Sequence, residues 1–216
     1  MEQLLERPTP RRRRRKSRPP ILGILLGALV VSGLLIGGAG LLRRTLAPTC
    51  KQPPENPDWI TQAILPLNEY SRPGTPLDAV DGVVVHYVGN PGTTAAQNRS
   101  FFANLAASGE TYASSHFVIG LEGEIIQCVP LDEVAYCSNS RNQDTISIEC
   151  CHPDEDGQFN QATYDSLVKL VSWLMEYYEL EPEVVIRHYD ITGKECPLYY
   201  VKHPDKWEQF LDELQQ

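Results

Sequence analysis

Between Arg18 and Arg43 the chain carries no charged residue, and residues 21–42 read ILGILLGALVVSGLLIGGAGLL. That run matches the ~20 apolar residues a helix needs to cross a bilayer, so this part of the chain has no place in a water-soluble core. Ahead of it stand Arg11 to Arg15, Lys16 and Arg18. A basic cluster of this kind stays on the cytoplasmic side and sends the chain beyond the span outward. Arg43 and Arg44 argue the other way but are outnumbered. The run is longer than the apolar part of a cleaved signal peptide and ends in LLRR rather than in a small-x-small site, so an uncleaved signal anchor is expected. The expected division is a basic cytoplasmic N-terminus over 1–20, a transmembrane anchor over 21–42, a Pro-rich linker over 43–58 and an extracellular domain over 59–216. That places the domain at the cell membrane, held by a single pass.

Charge divides at the same boundary. Residues 1–44 hold ten of the 19 Lys and Arg but only two of the 28 Asp and Glu, which leaves nine against 26 and a formal net of −17 for the rest. An acidic domain repels phosphate backbones, so nucleic acid is excluded as its partner. Six cysteines are few for an exported domain large enough to build a core without staples. Cys128 and Cys137 would close a short loop worth roughly 2–3 kcal/mol if they bridged. Cys150 and Cys151, adjacent in a strand, face opposite sides and do not bond to each other.

Within the domain, strand-like and helix-like patterns interleave. Residues 82–87 (GVVVHY) form a short β-branched run that stops at a Gly/Pro loop, and residues 94–108 carry Phe101, Phe102 and Leu105 at helical spacing before Gly109. Residues 115–127 read as a hairpin turning at Gly123. A strand over 145–151 precedes a helix over 164–180, ended by Pro182; a further strand over 184–186 and a closing helix over 204–214 complete the chain. The pattern predicts an α/β fold: a single domain with a central mixed sheet flanked by helices, preceded by one N-terminal transmembrane helix. It does not dictate the strand order.

Two histidines, His86 and His188, each stand just past an apolar β-run, where α/β sheets collect ligands. Either one alone reads as an ordinary strand-end residue; the pair points to a site. Cys196 lies eight residues beyond His188 across a turn containing Gly193, close enough to fold back toward the same ion. Two imidazoles and a thiolate leave the fourth tetrahedral position of zinc open to water, the arrangement of a catalytic rather than a structural ion.

At these residues the sequence resembles the zinc-dependent N-acetylmuramoyl-L-alanine amidases, whose fold animal peptidoglycan recognition proteins share. The resemblance covers about 59–216 and rests on VVVHY, SSHFVIGLEGEI, ISIE and HYDITGKECP. It implies zinc held by His86, His188 and Cys196, Lys194 as a stabiliser of the oxyanion, and Glu149 as the carboxylate that takes a proton from the attacking water. It also implies a substrate: the amide bond joining N-acetylmuramic acid to L-alanine in peptidoglycan. Where many members carry Tyr before the His-Phe of the hairpin this chain has Ser115, which shifts the base role to Glu149. His116, His152 and His203 are expected to be packing residues. Two competing readings remain: a recognition domain that binds peptidoglycan without cutting it, against which Cys196 argues, and a structural zinc site with His116 or Cys151 as fourth ligand.

Overall fold

Three consecutive valines, Val83 to Val85, are fully buried, the place β-branched side chains take in a strand covered on both faces. They begin the central strand of the computed structural model, which describes residues 51–215. Six strands form one sheet: β1 (Ile60–Gln62), β2 (Val83–Tyr87), β3 (Phe117–Ile119), β4 (Ile125–Gln127), β5 (Ile146–Cys150) and β6 (Val185–Arg187). Their spatial order is β1-β4-β3-β5-β2-β6. Only the β3–β4 hairpin is antiparallel, so the sheet is mixed as expected. Gly123 makes its turn at φ 80°, where an added Cβ would lie 2.9 Å from the Ala162 carbonyl oxygen.

The helices are α1 (Ala95–Ser108), α2 (Gln161–Tyr178), α3 (His188–Thr192), α4 (Leu198–Lys202) and α5 (Pro204–Glu213). Thr94 and Gln97 form a reciprocal capping box at the start of α1, and Gly109 ends it in the left-handed conformation. Helix α2 starts earlier than its apolar pattern suggests, because Asn160 caps it through the Thr163 N–H. It ends at Glu179, which takes φ 58° before Pro182 is reached.

Side chains alternate across the sheet with the strand period. Val83, Val85, Ile146 and Ile148 pack with Leu167, Leu170 and Leu174 of α2 and with Trp207 and Phe210 of α5. Val118 and Cys151 belong instead to a second cluster with Ala95 and Phe102 of α1. Cys150 and Cys151 therefore do lie on opposite faces. By the same alternation His86 and Glu149 point away from the α2 and α5 side.

Residues 51–58, the described part of the Pro-rich segment, run along the domain: Lys51 donates to the Tyr177 carbonyl, Tyr177 Oη donates to the Gln52 carbonyl at 2.6 Å, and Asn56 donates to Gln127 at 2.5 Å. The basic cluster and the expected anchor over 21–42 lie outside the described residues. Among the described residues, no helix is long and apolar enough to cross a membrane.

Candidate active site

Strand register builds the site. β2 and β5 pair in parallel with His86 opposite Glu149, and β2 pairs β6 with Val85 opposite Arg187. His188, one residue past β6, thus arrives beside His86, and the two ring centroids are 4.6 Å apart. After α3, Gly193 turns the chain at φ 77° and the Tyr189 N–H donates to the Cys196 carbonyl at 2.9 Å. That fold-back sets Cys196 Sγ 3.8 Å from His86 Nδ1. Donor atoms of His86, His188 and Cys196 all lie within 4.8 Å of one another. A nitrogen and a sulfur held tetrahedrally by one zinc stand roughly 3.6 Å apart, so the trio fits an ion of that size.

Neighbours orient both rings. His188 Nε2 donates to Asn139 Oδ1 at 2.7 Å, which leaves Nδ1 with its lone pair, and His86 Nε2 lies 3.2 Å from Ser138 Oγ. Burial holds both imidazoles below their ordinary pKa, reinforced for each by the nearby Lys194 charge. Both are therefore neutral, as ligation requires. Burial pushes the Cys196 thiol up to about 12, and a bound cation would reverse that by holding the thiolate. The turn itself is braced by Arg187, which binds Asp190 through Nε and Nη2 and donates from Nη1 to the Tyr200 carbonyl.

Glu149 lies on the floor of a cleft of about 490 Å³ that His86, His188, Cys196, Tyr136, Cys137 and Lys194 also line. Its Oε1 accepts from Cys137 Sγ at 3.6 Å, and its Oε2 is buried without a hydrogen-bond partner. Enclosure raises its pKa to about 8, against the opposing pull of Cys137 and Lys194. The structure thus gathers all five residues singled out from the sequence, with Lys194 exposed at the rim.

Other positions resolve differently. The Cys128–Cys137 bridge does not form: both are free thiols, Cys128 packed under α1 and Cys137 turned toward Glu149. Ser115 is buried with its hydroxyl on the Phe117 carbonyl. His116 bonds Ser147 and the Glu133 carbonyl, and His203 stacks on Tyr199, so both serve packing. His152 faces Tyr87 and the Asp154 carbonyl. Sequence reasoning missed Tyr136, Ser138 and Asn139, and left the partner of Cys137 open. No local pattern marks this loop, because only its long-range fold brings it over β2 and β5.

Comparison with known proteins finds relatives in both sequence and fold. Residues 76–198 match the family described as N-acetylmuramoyl-L-alanine amidase. The N-acetylmuramoyl-L-alanine amidase BlyA of Bacillus subtilis (strain 168) is 31% identical over 175 residues, covering 71% of this chain and 46% of that protein. The N-acetylmuramoyl-L-alanine amidase CwlL of Bacillus licheniformis is 31% identical over 165 residues, covering 70% and 45%. The chain spans about half the length of the curated relatives it matches. Among solved structures, a mutant endolysin from Bacillus subtilis superimposes with a TM-score of 0.61 at 28% identity, covering 72% of this chain and 97% of that one. The catalytic domain of XlyA gives 0.61 at 28% identity, covering 72% and 98%. With the family match extending over more than half of its length, the chain belongs to the N-acetylmuramoyl-L-alanine amidase family.

Proposed function

We propose that this chain is a zinc-dependent amidase that cuts the bond between the lactyl group of N-acetylmuramic acid and L-alanine in peptidoglycan. The observation that carries the reading is the convergence of His86, His188 and Cys196 beside Glu149 in one open cleft. Zinc on the trio would supply Lewis acidity and a water activated near neutral pH. Glu149 Oε2, with no other partner, takes the proton of the attacking water and returns it to the departing amine. Burial, which raises the Glu149 carboxyl pKa, favours its holding that proton until the amine departs. Lys194 at the rim adds positive charge where the carbonyl oxygen becomes negative, a contribution of roughly 3–4 kcal/mol when preorganised.

The reading extends to placement: residues 1–20 inside the cell, 21–42 across the membrane, the domain outside. Its support is the uncharged apolar run behind a basic cluster.

The test is incubation of the full chain with purified peptidoglycan, with and without a chelator, scoring new L-alanine amino termini and new sugar reducing ends separately. Chelator-sensitive alanine termini without reducing ends are expected. Neither product, with the protein still pelleting on the wall, would replace hydrolysis by recognition.

A further inference from the structure

His86 belongs to two sets of candidate metal ligands. Besides the trio with His188 and Cys196, the donor atoms of His86, Cys137 and Glu149 also lie within 4.8 Å of one another. We propose that the protein has two alternative stations for one thiophilic divalent cation, hinged on His86: an open one with His188 and Cys196, and a closed one with Cys137 and Glu149.

Three observations lead to the closed station. Cys137 Sγ and Glu149 Oε1 are 3.6 Å apart, the separation expected of a sulfur and an oxygen held tetrahedrally by one ion, roughly 3.6 Å. Glu149 Oε2 is buried with no donor, an orphan acceptor that a cation would satisfy. The donor set of imidazole, thiolate and carboxylate carries two negative charges and neutralises a divalent ion completely, whereas the open trio neutralises half of its charge. The thiolate selects soft cations over magnesium or calcium. Binding at the closed station releases the Cys137 thiol proton, and any carboxyl proton Glu149 carries, to solvent.

The functional consequence rests on the amidase reading. A cation at the closed station occupies the carboxylate needed for proton transfer, so hydrolysis runs only from the open one. Cys137 is then a switch residue that holds part of the enzyme in a resting form.

The binding half is tested without activity, by titrating Cd²⁺ into the full chain and reading the cadmium–thiolate charge-transfer absorbance. Cys196→Ala keeps a one-thiolate band at saturation, and the Cys137→Ala/Cys196→Ala double variant loses it. His188→Ala against Cys137→Ala/His188→Ala gives an independent pair should Cys196→Ala not fold, as judged by circular dichroism. A missing band in the folded single variants, or an equal band in the doubles, overturns the closed station. For the switch, zinc-loaded Cys137→Ala is expected to hydrolyse peptidoglycan several times faster than wild type at equal zinc content; an equal or lower rate overturns it. If the wild-type chain releases no alanine termini while the cadmium spectra behave as stated, the amidase reading fails and the second station stands.

Discussion

Glu149 and His116 sit in the same sheet region with opposite tasks. Glu149 faces the cleft with one carboxylate oxygen unpartnered. Replacing it by Gln keeps the shape and removes the base, so hydrolysis is expected to fall by about 10²–10⁴-fold while zinc content is unchanged, measured by turnover and by metal analysis on one sample. His116 is buried and satisfied at both ring nitrogens, and burial lowers its pKa to about 4. The unfolded chain binds a proton at this residue from about pH 6.5 downward while the folded one does not until about pH 4, so stability is lost as pH falls through that window. The loss attributable to His116 is roughly 3 kcal/mol at most. His116→Gln is expected to flatten the denaturation midpoint between about pH 6.5 and 4; an unchanged slope would show that His116 does not carry it.

At the scale of elements, the ligand-bearing turn is the part most dependent on outside support. Helix α3 has five residues, too few to hold itself, and Arg187 and Asp190 lock its start. Asp190→Ala removes the acceptor of Arg187 Nε, Nη2 and backbone N–H together, and with it the setting of His188. Zinc affinity is expected to drop roughly 10–100-fold, read by competition with a chromogenic chelator. Helix α1 depends on its own cap instead: Thr94→Ala is expected to cost about 1 kcal/mol, or ~2–4 °C in melting temperature, without changing metal affinity.

For the whole molecule, an acidic domain behind a basic, apolar leader predicts a division of labour. On the proposed reading the leader would supply attachment and the domain chemistry. Full-length protein is expected in the membrane fraction of lysed cells and residues 45–216 in the supernatant, with equal hydrolysis of purified peptidoglycan by both. Full-length protein in the supernatant would remove the anchor from the proposal.

The sequence by itself determined the α/β alternation, the central valine strand and the candidate ligands, because these rest on local patterns: β-branched runs, helix stops, and a His–Gly–Cys turn that returns within eight residues. It also carried the opposite faces of Cys150 and Cys151, since strand period is a local property. Only the tertiary structure decided the strand order β1-β4-β3-β5-β2-β6, which depends on where crossovers pack. Register, not spacing along the chain, put Glu149 opposite His86. The loop holding Cys137, Ser138 and Asn139 was decided in the same way. Its residues acquire their partners through long-range burial over β2 and β5, and a chain read in one dimension carries no signal for contacts that exist only after the sheet has formed.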